Sequence, residues 1–399
     1  MKYTYSKKAD AKVEKDLEKV KKVLVEEFNP ISIILFGGFG RGEGTFEEKN
    51  GKIIPLNDYD VYVVTKNKVS EEKLEAVGKK CSAMLGKGGG EFVEEWNEIY
   101  DKDEYFHVDL RWLGYNELKH LKKINRTYEL KYGSTIIYGE DVRNLIPDIQ
   151  VPLSEAFRYL TNPAGHLLLC MDKRRLNGKF KGDEKFYMLH HIAKSYLACA
   201  SSLIISSGTF EPNYTDTVKT CKKLYGKKFP KLIKKIEWAL KLKVSGKRPV
   251  VNLKKEWIEA RDDVTFVLSY IAEKHLGVKS KNVVELTKGI YKKLPYVYFI
   301  PYMPLPKWLA RFAFPAQYLL NLLYFKRSGH FPVLLGWKDV GIKIYMAAYL
   351  LLHAVDKPEL LEEAYKYIKQ FAKVKNKTWE ELRLGLLYGF DRYYSQKLI

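Results

Sequence analysis

Three aspartates stand out by their spacing. Asp58 and Asp60 open the extended run Asn57-Asp58-Tyr59-Asp60-Val61-Tyr62-Val63-Val64, and Asp109 lies inside another, Phe106-His107-Val108-Asp109-Leu110. Successive side chains of a strand point to opposite faces, so Asp58 and Asp60 share a face and Tyr59 takes the other. A strand carrying Asp109 beside that run brings a third carboxylate to the same face. Upstream, the apolar run from Ile31 ends in Gly37-Gly38, where the missing side chains let backbone N–H groups approach an anion closely. Carboxylates converging beside a glycine turn form a hard-oxygen site. Magnesium suits it, because this ion takes few protein ligands and completes its shell with water and phosphate oxygens.

The elements that must position these residues follow from the pattern on either side. Val13, Leu17, Val20 and Leu24 form one stripe of a helix over 9–28, ended by Asn29-Pro30. A strand over 31–36 leads into the glycine turn. Residues 45–57 form a loop or small hairpin around Asn50-Gly51, a pair suited to a tight turn. A strand covers 59–65, and Ser70 caps a helix running to about Met84. Gly88 to Gly90 breaks that helix. Residues 91–99 and 104–113 alternate as antiparallel strands do, 115–124 reads as helical, and 133–139 is a last short strand or turn. Beyond Pro152 the strand signal fades. Helical periods run over 153–175, 184–207, 214–225, 229–243, 255–276, 281–293, 338–355, 358–373 and 378–394, the last opening on the capping box Thr378-Trp379-Glu380-Glu381. The fold class is therefore α+β: a small mixed sheet with flanking helices over 1–150, then an all-helical bundle over 151–399.

Composition agrees with two cored domains. The chain has 399 residues and 46% hydrophobic content, which excludes a disordered chain. Its net charge of +21 is uneven: residues 1–150 hold 25 Lys and Arg against 27 Asp and Glu, whereas 151–399 hold 44 against 21. A basic surface attracts polyanions, although solubility or a Lys- and Glu-rich thermophile composition accounts for the same excess. Residues 219–255 concentrate it, with 14 Lys and Arg, the single acid Glu237, and Tyr225, Phe229 and Trp238 interleaved. That segment is either a polyanion contact or the solvated face of a helix buried through Phe229, Ile233, Ile236 and Leu240. The four cysteines, Cys81, Cys170, Cys199 and Cys221, lack metal spacing and read as free buried thiols. With no signal peptide in view, a reducing cytoplasm is expected. Residues 295–325, rich in proline and aromatics, are cut by Arg311 and Pro315, so no transmembrane segment is expected there. The stretch belongs to the core, a dimer contact or a membrane interface. His190 and His191 read as structural.

A strand ending in Gly37-Gly38, then Asp58-x-Asp60 on the next strand and Asp109 on a later one, resembles the DNA polymerase β-like nucleotidyltransferase superfamily, in particular its minimal and aminoglycoside-type members. Ile137-Tyr138-Gly139-Glu140-Asp141-Val142-Arg143 is similar to the segment that closes that domain in antibiotic-modifying members. The resemblance covers about 9–148 and extends loosely to a helical second domain. It implies in-line transfer of a nucleoside monophosphate from a nucleoside triphosphate to a hydroxyl, with pyrophosphate released. It implies two Mg2+ ions, replaceable by Mn2+, on Asp58 and Asp60, with Asp109 completing the ion at the acceptor hydroxyl. Gly37 and Gly38 would meet the triphosphate, and Arg41 would neutralise a β- or γ-oxygen or remain a surface arginine. Lys194, on an early helix of the second domain, would reach the same phosphates or sit at a rim. Glu155 is a candidate general base. Two departures matter: Gly38 stands where serine is common, and nineteen residues separate it from Asp58, more than usual.

The acceptor stays open between a small hydroxylated molecule, a protein hydroxyl and an RNA end. A homodimer is compatible with the sequence. Two other readings remain: a catalytically silent nucleotide- or RNA-binding module, and a peripheral membrane enzyme modifying an envelope glycan or lipid-linked sugar.

Overall fold

The computed structural model describes residues 2–56, 58–86, 108–182, 184–245, 249–293 and 340–396. It is a mixed α+β protein with one small mixed sheet and a helical C-terminal region. The chain groups into two compact units: Met1–Val151 with Lys181–Ala193 and Gly208–Val250, and Pro152–Phe180 with Lys194–Ser207 and Val251–Ile399. The break at Val151 lies next to the expected boundary, but Gly208–Val250, read from sequence as part of the helical half, belongs to the first unit.

The first unit is built on a four-stranded sheet. Its strands are β1 (Ser32–Leu35), β4 (Tyr59–Thr65), β5 (Val108–Gly114) and β6 (Thr135–Gly139), in the order β5-β4-β1-β6. β1 is antiparallel to β4 and β6, while β4 and β5 run parallel. The proposed partner of 104–113, residues 91–99, lies outside the described residues. Every β1 residue is buried because both faces of the sheet are covered. On one face Ile33, Leu35, Tyr59, Val61 and Val63 pack against Val13, Leu17 and Val20 of helix α1 (Lys7–Phe28), and against Val77 and Cys81 of the helix Glu71–Met84. On the other, Ile34, Phe36, Tyr62 and Val64 meet Leu118, Leu130, Val142 and Ile146. Local signals set the ends. Ser6 caps α1, and Ser70 accepts from Lys73 N at 3.2 Å. The short hairpin β2 (Phe46–Lys49) and β3 (Lys52–Pro55) turns at Asn50 and Gly51, with φ of 52° and 74°. Two adjacent positive φ values match the turn that follows strand twist.

Two further helices, Tyr214–Tyr225 and Pro230–Ser245, complete this unit through the segment after the glycine turn. The buried Glu43 carboxylate accepts from Tyr214 N and Thr215 N, each at 2.8 Å, and from Thr215 Oγ1 at 2.7 Å. A carboxylate at a helix start satisfies amides the helix itself cannot. Thr45 Oγ1 donates to Lys243 O at 2.7 Å, and the buried Lys243 Nζ lies 2.9 Å from the same hydroxyl.

In the second unit the described elements are helical. Val340–Ala354 is buried on nearly every side, which explains its lack of a polar face. Trp379–Gln396 begins where the capping box put it, with Thr378 Oγ1 accepting from Glu381 N at 3.3 Å. No described helix is long and apolar enough to cross a membrane; residues 295–325 fall outside the described residues. The four cysteines are free and buried, and burial pushes the Cys170 and Cys221 thiols up to about 12.

Candidate functional site

The parallel pairing of β4 and β5 makes Asp60 and Asp109 direct register partners, so two carboxylates lie side by side on neighbouring strands. They occupy the face of β4 that also carries Tyr62 and Val64. Asp58 stands just before the first residue of β4 and is partly buried. β1 delivers the glycine turn to the same place. Phe36 N donates to Asp60 O at 2.8 Å, and the chain then enters the short helical turn Gly37–Gly40. Gly37 has a φ of +67°, and a Cβ there would lie 2.0 Å from Asp60 Oδ2. Backbone conformation and contact with the carboxylate both demand glycine at this position.

The pair is electrostatically loaded. Burial pushes the Asp60 carboxyl above the ordinary carboxylate range, and the adjacent Asp109 adds to the rise. Arg111, Arg41 and Arg126 pull the other way. Arg111, two residues beyond Asp109 on the same face of β5, donates to Asp109 Oδ2 from Nε at 3.0 Å and Nη2 at 2.7 Å. Burial alone would lower the Arg111 guanidinium, but the charge of Asp109 and its hydrogen bond, together with Tyr62 and Asp60, more than reverse this. The Arg126 guanidinium sits 5.8 Å from the Phe36 ring centroid and 5.9 Å from that of Tyr62, two rings that meet edge to face at 5.7 Å. An aromatic shelf thus holds a cation beside the carboxylates, and cations are favoured over such ring faces.

Among the described residues, no three His, Cys, Asp or Glu side chains converge as a ready-made ion cage. The donor set nevertheless fits magnesium in kind. Two facing carboxylates raise each other's energy as like charges, and this ion needs few protein oxygens.

The other sequence-derived residues lie as follows. Gly38 is inside the turn, its carbonyl accepting from Glu43 N at 2.8 Å. Arg41 is paired with Glu129 at 2.9 Å and lies 5.0 Å from the Tyr214 ring centroid, so it fastens helices as well as facing the acids. Lys194 belongs to the second unit, where burial and then its charge hold His166 down at about 4. Glu155 is buried and paired with Arg158. His191 packs against the Tyr187 ring, with centroids 4.3 Å apart.

Sequence reasoning passed over Arg111 and Arg126. Arg111 was within reach of the same period-two argument that selected Asp109. Arg126 had no local signal, because its shelf comes from two other elements. No protein-family model matches the sequence, and no curated protein matches it significantly.

Proposed function

We propose that the chain is a magnesium-dependent nucleotidyltransferase with a nucleotidyltransferase fold in its first unit, moving a nucleoside monophosphate from a nucleoside triphosphate to a hydroxyl and releasing pyrophosphate. The observation that carries this reading is the in-register pair Asp60 and Asp109 with Gly37 pressed against the Asp60 carboxylate. Asp58, Asp60 and Asp109 would hold the magnesium, which when bound supplies charge for the phosphate oxygens and lowers the pKa of the acceptor hydroxyl. Gly37 and Gly38 keep the backbone bare, so that the amides opening the turn, which have no intrahelical acceptor, can meet phosphate. Arg126 supplies a guanidinium suited to phosphate oxygens, in a stronger position for it than Arg41, which already has Glu129.

The test is incubation of purified protein with labelled nucleoside triphosphates, Mg2+ or Mn2+, and a panel of hydroxylated acceptors. Label should pass to an acceptor, and Asp58→Ala should reduce the rate at least about a thousandfold, a barrier rise of about 4 kcal/mol. An undiminished rate in that variant ends the mechanism. The hold of Arg111 on Asp109 favours one second reading, a module that binds nucleotide without turnover. Calorimetric binding with no transfer to any acceptor would select it.

A further inference from the structure

We propose that the helical pair Tyr214–Tyr225 and Pro230–Ser245 is a docking face for a single-stranded RNA, which makes RNA the acceptor class; the acceptor role rests on the transferase reading, the docking face does not.

The face is fixed to the acid-bearing unit. Gly208–Val250 groups with Met1–Val151, and the fastenings are Glu43 on the amides of Tyr214 and Thr215, and Thr45 on Lys243. These anchors follow directly on the glycine turn, so the chain that shapes the carboxylate site also holds the helices. Residues 208–250 carry 12 Lys and Arg against three Asp and Glu. Lys243 is buried in the anchor, and Lys222 is paired with Glu237 at 2.7 Å. Lys219, Lys223, Lys227, Lys231, Lys234 and Lys241 are exposed and have no carboxylate partner among the described residues. Lys231 and Lys234 lie three apart on one side of their helix, and Lys241 follows about 10 Å further along the axis. Such a row, left without counter-charges, is stabilised by a polyanion whose own counterions are released.

The chemistry selects RNA over lipid. A membrane-seated helix buries an apolar face, whereas Leu224 is the only exposed large apolar side chain on these two helices. What accompanies the lysines instead is aromatic: the half-buried Phe229, backed by the buried Tyr225 with centroids 5.7 Å apart and planes at 6°, and the half-buried Trp238 beneath Lys235 at 5.8 Å. Unstacked bases of a single strand rest on such rings. An RNA strand also brings a hydroxyl at every nucleotide, the group that the proposed reaction consumes.

The experiment is fluorescence anisotropy of the full chain with a labelled 20-nucleotide single-stranded RNA across a salt series. The triple variant Lys231→Glu, Lys234→Glu, Lys241→Glu is compared with a triple of equal charge change, Lys66→Glu, Lys68→Glu, Lys122→Glu. The first should weaken binding at least tenfold at physiological salt and lower the salt slope by about 2, at about 0.7 per phosphate contact; the second should change affinity less than about twofold by the same rule. Equal losses in the two triples overturn the proposal. So does DNA of the same sequence binding as tightly as RNA, or displacement of the RNA by vesicles containing phosphatidylserine. Asp58→Ala separates this result from the transferase reading: RNA held normally by a chain that transfers nothing keeps the docking face and removes the enzyme. Transfer to small alcohols by a chain that ignores RNA does the reverse.

Discussion

The two units differ at one point in how they treat charge. In the second, each buried arginine among the described residues has been given acceptors. Arg261 donates to Asp356 at 2.6 Å and Asp262 at 2.8 Å, and Arg383 bonds Glu380 and Leu168 O. A neighbouring imidazole, His353, is pushed down to about 4, chiefly by burial and then by Arg261. In the first unit, two carboxylates are register partners, and among the described residues only one of them, Asp109, has an arginine paired to it. A sheet gains stability from opposite charges across strands and loses it from like ones. A fold that neutralises buried charge in both units, as at Arg41 and Glu129, yet sets like charges together at one sheet pair fits the proposed role of that pair in holding a cation.

Removing a neutralised charge should do the most damage. Arg261→Ala takes away a buried stem and two charged hydrogen bonds, and should cost about 2–3 kcal/mol of stability in urea unfolding. A loss below about 0.5 kcal/mol, the usual surface value, would mean that the second unit does not depend on this pairing. Next comes Gly37→Ala. The left-handed backbone alone costs an alanine about 1–2 kcal/mol, and its Cβ must displace the Asp60 carboxylate. Thermal unfolding should record the loss, and any transfer activity should fall further than stability does.

Asp60→Asn is the smallest effect and the one with the opposite sign. It should raise the stability of the protein in chelator by up to about 1 kcal/mol at neutral pH, the scale of one cross-strand pair. The pH dependence follows from the raised carboxyl. Between the ordinary Asp value and the raised one, the folded state holds more proton than the unfolded state. This contribution is therefore complete at acid pH and is lost as pH rises through the folded value. Wild type should lose stability relative to Asp60→Asn as pH rises across that window in chelator, with added Mg2+ closing the gap at high pH. A wild type that gains on the variant over the same window would show that the carboxylates do not repel.

Much of this contrast was legible in the sequence, where the signals are local. Ser70, Asn50-Gly51 and Thr378 each mark an end or turn by chemistry within four residues, and the helical periods of the second half reappear with ends moved by a few residues, except where 153–175 and 358–373 stop short. The apolar run of β1 marked a strand, although its coverage on both faces was not read from it. The carboxylate pair was readable because strand alternation is rigid, although the direction of the Asp109 strand was not. What escaped depends on partners far along the chain. Glu43 finds Thr215 at a separation of 172 residues, and Thr45 finds Lys243 at 198. Nothing near Arg41-Gly42-Glu43-Gly44-Thr45 announces that its alternate side chains are fasteners.

The parallel register of β4 and β5 also has a kinetic side. β1 meets β4 and β6 in antiparallel fashion, but β5 reaches β4 only after the chain from Lys66 to His107 has crossed over. Closing such a connection is slow, because its entropy is lost before any contact rewards it. The repulsion between Asp60 and Asp109 arises when β5 docks on β4, and a divalent ion present during refolding should quicken that step while leaving the antiparallel pairing of β1 with β4 untouched.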